Sequence, residues 1–230
     1  MNDRFYAQSY EGVQSFLTRV FGWMAFALTL TGVTSLYVAS SPSVRNVVLG
    51  KPWVFLLLII AELGLAIGLS AAITSISYTT AFMMFGLYSV LTGMTLSVIF
   101  LVYTMPSIAM TFFVAASMFA FMAIYGMVTK ADLTSMGSFL RMALWGIIVA
   151  LLLNMFFKSA AFDLVLAIIG VVVFAGLTAY DIQKIKEFAQ RADVSNEMAS
   201  NIALLGALQL YLDFINLFLN LLRIMGNRKE

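Results

Sequence analysis

Apolar residues run along this chain in long blocks separated by short polar breaks. A hydrocarbon core of about 30 Å takes about 20 helical residues to cross at about 1.5 Å each. Seven blocks meet that length, at 20–39, 53–73, 79–103, 107–128, 138–157, 162–182 and 202–225, and each predicts a transmembrane helix. The expected fold is all-α and polytopic, since helices satisfy their own backbone groups in lipid. Pro106 is placed to open the fourth helix, where its missing N–H costs nothing, while Pro42 and Pro52 fall in the first connection. No proline interrupts a span, although Gly86, Gly93, Gly146 and Gly176 permit close packing or bending.

Residues 1–19 carry Asp3, Arg4, Glu11 and Arg19 and show no apolar run with a small-residue cleavage site, so they read as a polar tail rather than a signal peptide. The longest polar stretch, 183–201, reads as a continuation of helix six followed by a loop. Residues 226–230 form a short C-terminal tail. Lys and Arg in the connections number seven on the side of the N-terminus and six on the other, which leans towards a cytoplasmic N-terminus.

Composition sharpens this. Apolar residues make up 62% of the chain and charged residues 10%, against roughly 45–50% and 25% in a soluble domain, which excludes a water-soluble fold. The net charge of +2 is too small and scattered for a nucleic-acid partner. With no Cys and no His, thiolate and imidazole metal sites, disulfides and His-dependent nucleophile systems are absent, and any titratable chemistry near neutral pH falls to carboxylates. No resident cofactor is implied, and the Met and Phe content reads as packing and lipid contact.

Charges inside the spans therefore carry the functional signal. Arg141, Asp163 and Arg223 lie near span ends, within reach of the interface. Three remain, Glu62, Asp181 and Asp213, and an ionised carboxylate at the bilayer centre costs at least ~2.5 kcal/mol, so these three should face a cavity or one another. Around Asp213, Gln209, Asn216, Asn220 and Arg223 recur at helical spacing and make one polar stripe, while Phe174, Thr178 and Asp181 share a stripe on the sixth span. Both Asp residues lie towards the loop that joins helices six and seven. They match in depth if helix six continues past Lys186 towards Ala189 and the membrane part of helix seven begins near Gly206. Side by side, repulsion and desolvation disfavour double ionisation, so the pair shares one proton, a pH switch without histidine. Deprotonated, it offers oxygen ligands suited to a hard cation such as Ca²⁺. The competing reading is that Asn154, Gln209, Asn216 and Asn220, and the carboxyls with them, are polar anchors between helices.

Two motifs carry a resemblance. Gly176-Leu177-Thr178-Ala179-Tyr180-Asp181-Ile182-Gln183-Lys184-Ile185-Lys186 follows an apolar run, and Leu210-Tyr211-Leu212-Asp213-Phe214-Ile215-Asn216-Leu217-Phe218 leads to Leu221-Leu222-Arg223. At these residues the chain resembles the Bax inhibitor-1 family, also called the transmembrane Bax inhibitor motif family, and its bacterial members in particular. Seven spans, Glu62 in the second and a Thr-Lys-Ala-Asp-Leu segment at 129–133 extend the likeness over essentially the whole chain. The resemblance implies six helices around a central one and a pH-sensitive Ca²⁺ leak across a bacterial inner membrane. Asp181 and Asp213 would be gate, proton sensor and Ca²⁺ ligands, with Glu62, Thr178, Gln209 and Asn216 along the ion path. Family members with the best-understood leak have a basic residue three turns after the Glu; here that position is Ile73 and the second span has no basic residue, leaving Lys184 or Arg141 to serve as such a latch.

Rival classes are constrained by the same residues. An intramembrane aspartyl protease also pairs a Tyr-Asp with a second Asp, but its Gly-x-Gly before the second Asp is replaced here by Tyr211-Leu212, and no Pro follows Pro106. The chain is thus expected not to be an enzyme. The alternative function is a non-transport regulator that binds and restrains a membrane protein partner, such as a membrane protease or a stress or cell-death factor. Besides such a partner, the expected contacts are the lipid bilayer and calcium ion.

Overall fold

The computed structural model describes residues 2–191 and 197–229, with side chains from 12–190 and 198–229. Among these the chain forms helices α1 (Asn2–Ser40), α2 (Pro42–Val48), α3 (Pro52–Ala72), α4 (Tyr78–Leu96), α5 (Ile99–Val102), α6 (Met105–Val128), α7 (Thr134–Phe157), α8 (Ala160–Arg191) and α9 (Glu197–Met225). Seven candidate spans are long and apolar enough to cross a membrane, α4 and α5 together making one of them. Described strands are absent apart from one isolated bridge between Tyr103 and Arg228. The fold class is that read from the apolar blocks: an all-helical, seven-span membrane protein.

Local departures have local causes. The first connection is not all loop, because Pro42 pre-sets the backbone at the start of a short helix, α2. Pro52 and Pro106 likewise sit in the first turn of α3 and α6. The third span breaks after Leu96. Its last turns are rich in hydroxyls that bond their own helix: Thr92 Oγ1 donates to the Tyr88 carbonyl at 3.0 Å, Thr95 Oγ1 to Thr92 at 3.0 Å and Ser97 Oγ to Met94 at 2.6 Å. Such bonds compete with the backbone ladder, and with Gly93 in the same turn they weaken the helix where it ends. Helix α8 runs unbroken to Arg191, past Ala189 as the depth argument requires. The loop expected after it includes 192–196, which lie outside the described residues.

The chain divides into two compact units, Met1–Val102 with Lys186–Tyr211, and Tyr103–Ile185 with Leu212–Glu230. In the first unit, Phe82 of α4 stacks on Phe26 of α1 at 5.9 Å between ring centroids and meets Trp23 edge-on at 5.1 Å. Tyr211 of α9 is fully enclosed between Phe85 and Tyr88 of α4, and its hydroxyl lies 2.7 Å from Thr31 Oγ1 of α1. Thr31 in turn donates to the Ser89 carbonyl at 2.9 Å. Asn201 of α9 donates to the carbonyls of Ile73 and Ile76 at 3.0 and 2.9 Å, holding the α3–α4 corner.

In the second unit, Phe112 and Phe119 of α6 meet Phe214 of α9 edge-on at 5.5 and 5.6 Å. Gly126 of α6 lies so close to α8 that a Cβ there would overlap the Ala179 carbonyl oxygen. The C-terminal end is tied back to the start of α6: Thr104 N–H donates to the Asn227 carbonyl at 3.0 Å, and Asn227 N–H to Ser107 Oγ at 2.8 Å.

Candidate functional site

The second unit gathers most of the chemistry read from the sequence. Ala179 can approach α6 because position 126 is glycine, and Tyr180 can lie flat against α7 because position 137 is glycine; a Cβ at Gly137 would overlap the Tyr180 ring. From α7, Arg141 Nη2 donates to the Tyr180 hydroxyl at 3.0 Å, and its guanidinium carbon stands 4.9 Å from the ring centroid. The Lys184 ammonium approaches the same ring at 5.7 Å. The Tyr180 ring thus meets two cations, of which Arg141 also acts on the residue that follows, Asp181.

Gln183 fixes the segment that leads into α7. Its Oε1 accepts from Leu133 N–H at 2.9 Å and its Nε2 donates to the Ala131 carbonyl at 2.8 Å. Between them, Asp132 Oδ1 accepts from Thr134 N–H at 2.9 Å. Hydrogen bonds from the Thr134 side chain and backbone hold this exposed carboxyl below its usual range. The Thr-Lys-Ala-Asp-Leu segment is therefore a strap pinned to α8 two residues beyond Asp181.

Asp181 on α8 and Asp213 on α9 come together, each carboxyl acting on the other. Asp213 is 5% exposed, and its Oδ2 is buried with no donor among the described residues unless one of the two carboxyls carries a proton. Charged groups facing Asp181 are Asp213 from α9 and Arg141 from α7.

The other named residues are placed differently. Thr178 is fully buried, but its hydroxyl donates to the Phe174 carbonyl one turn back at 2.8 Å. Asn216 Nδ2 donates to the Leu212 carbonyl at 2.8 Å, and Asn220 Nδ2 to the Asn216 carbonyl at 2.7 Å, each one turn back on α9. Gln209 is exposed, whereas Asp213 and Asn220 are buried, so the polar stripe of α9 is not one uniform face. Leu210, Phe214, Leu217 and Phe218 of α9 are buried.

Glu62 belongs to the first unit. Its carboxylate lies against the hydroxyls of Thr92 and Thr95, whose protons also have helix carbonyls as acceptors, and Oε1 is buried with no donor among the described residues. No group of three or more His, Cys, Asp or Glu residues able to hold a metal occurs among the described residues. The sequence reading gave no role to Tyr180, Gln183 or the buried Tyr211, although Gly137 and Gly126, glycines inside apolar helices, are signs of close neighbours.

Seven apolar spans define a multi-pass helical membrane protein. The family profile described as "Inhibitor of apoptosis-promoting Bax1" matches residues 13–230, and the chain belongs to this Bax inhibitor-1 family. It is 49% identical over 221 residues to inner membrane protein YbhL of Escherichia coli, covering 95% of this chain and 94% of that protein. An uncharacterized protein of Borreliella burgdorferi is 44% identical over 215 residues (94% and 93%), and one of Rickettsia prowazekii 41% over 220 residues (96% and 92%). The spans and these relatives make it a multi-pass protein of the inner membrane.

Proposed function

We propose that the protein is a pH-sensitive Ca²⁺ leak in which the Asp181–Asp213 pair is sensor and gate, Glu62 is a carboxylate of the ion path and α9 is the central helix. The observation that carries this reading is the meeting of two carboxyls from α8 and α9, Asp213 buried and Asp181 half-buried. Two carboxylates in such a place cannot both hold full charge cheaply, and one shared proton turns repulsion into a bond between the helices. Loss of that proton leaves two anions that separate and present oxygens of the kind a hard cation takes. Arg141, already beside Asp181, is the cation that meets the deprotonated pair, in the role left open by Ile73. The enclosure of α9 supports its central place: 67% of its most apolar window is buried, against 6% in α3.

The test is Asp213→Asn, nearly isosteric and able to hydrogen-bond, but unable to titrate. In liposomes holding the purified protein, Ca²⁺ flux should lose its pH dependence. Flux and pH profile both unchanged would remove the pair from the gate. A wild type that passes no Ca²⁺ at any pH would instead favour the regulator that restrains a membrane protein partner.

A further inference from the structure

Where α7 stops, α8 starts and α9 stops, the second unit carries a groove of about 500 Å³ that the ion path does not use. Its lining divides by chemistry. Ile148, Leu151, Leu152 and Met155 recur at plus three, plus four and plus seven along α7, one apolar face about 10 Å long. At its end stand Asp163, in the first turn of α8, and Arg223, in the last turn of α9. Arg223 Nη1 and Asp163 Oδ1 are 3.8 Å apart, and their side chains are 36% and 37% exposed. That separation exceeds a hydrogen bond, so the two groups keep donors and acceptors for a third.

The groove's place is set by chain connectivity. Only Lys158 and Ser159 join α7 to α8, with Lys158 in the left-handed region at φ 50°. Asn154 closes this turn, accepting from Ser159 N–H at 3.0 Å and donating to its carbonyl at 3.3 Å, and so is already engaged. Three span ends therefore meet one membrane surface here, and the apolar face of α7 runs from that surface into the hydrocarbon. A cation and an anion side by side at headgroup depth, above an apolar track, match a lipid that carries both charges.

We propose that this groove is a binding site for a zwitterionic phospholipid of the phosphatidylethanolamine class, with phosphate on Arg223, ammonium on Asp163 and one acyl chain along the α7 face. An anionic phosphatidylglycerol satisfies Arg223 but brings its charge against Asp163. A phosphatidylcholine has no N–H to give the carboxylate. Free phosphate leaves both Asp163 and the apolar track unmatched.

Lipid retention tests this without reference to ion flux. Purified full-length protein is equilibrated in detergent with equal amounts of phosphatidylethanolamine and phosphatidylglycerol of the same acyl chains, and bound lipid is counted by native mass spectrometry. The wild type should retain phosphatidylethanolamine over phosphatidylglycerol by about tenfold. Asp163→Asn should bring the ratio near one, since the phosphate contact remains. The exchanged pair, Asp163→Arg with Arg223→Asp, should recover the preference, because a zwitterion fits the reversed order. Equal retention by the wild type, a preference for phosphatidylglycerol, or a ratio unmoved by Asp163→Asn would overturn the proposal. An exchanged pair that melts like the wild type yet shows no preference would do the same.

Discussion

Gly126→Ala tests whether the approach of α6 to α8 holds the candidate gate in place. An added Cβ would overlap the Ala179 carbonyl oxygen and stand 3.0 Å from both its carbonyl carbon and its Cα. For the carbon atoms that is about 0.5–1 Å inside the optimum of about 3.5–4.0 Å. Overpacking of this kind costs ~1–3 kcal/mol, and the obstacle here is backbone that cannot rotate away, so the cost lies near ~3 kcal/mol. Replacing glycine by alanine within a helix returns ~1 kcal/mol. The net loss of ~2 kcal/mol corresponds to a fall of ~4–8 °C in melting temperature for a chain of this size. Gly146→Ala is the control, since nothing stands within 4 Å of a Cβ there, and only the gain of ~1 kcal/mol remains. Both are read as thermal unfolding in detergent at one heating rate, because unfolding of such a protein is governed by rate as much as equilibrium. Because Ala179 adjoins Tyr180 and Asp181, the forced shift should also alter Ca²⁺ flux at constant pH. A Gly126→Ala protein that melts at or above the wild type would refute the close packing on which the site's placement rests.

Three further outcomes follow from named contacts. Gln183→Ala removes two bonds to the 131–133 strap and should cost ~1–3 kcal/mol, with faster amide exchange at Leu133 and no change at Asn201. Arg141→Gln removes the cation beside the pair, so the pH at half-maximal flux should move up; an unmoved midpoint would exclude Arg141 as the latch. Glu62→Gln removes a carboxylate of the other unit and should lower Ca²⁺ flux at every pH while leaving the midpoint in place.

Seven spans are legible because crossing a bilayer demands a length of apolar residues that nothing else in the chain imitates. The Asp pair is legible for the converse reason: a carboxylate in such a block is costly and must be answered by a partner. The depth argument for Asp181 and Asp213 also reached the right conclusion about α8, since two residues on adjoining helices meet only if their axial positions agree. What stayed hidden depends on contacts between distant segments or on local competition for hydrogen bonds. The break after Leu96 has no Pro to announce it, and Gly93 beside it reads equally as close packing; the hydroxyls that turn back on their own helix show only in three dimensions. Asn216 and Thr178 stand at polar-stripe spacing, but that they donate to carbonyls one turn back on their own helices is not written in that spacing. Gln209 shares helical spacing with Asp213, but exposure is set by the neighbouring helices, which spacing on one helix does not specify.

The central claim is that the Asp181–Asp213 pair makes Ca²⁺ permeation depend on pH. The most direct measurement is Ca²⁺ flux into liposomes from about pH 6 to about pH 8 for the wild type beside Asp181→Asn, Asp213→Asn. The account predicts flux that rises as the shared proton is lost in the wild type and a flat profile in the double variant. A double variant that keeps the wild-type titration would contradict it.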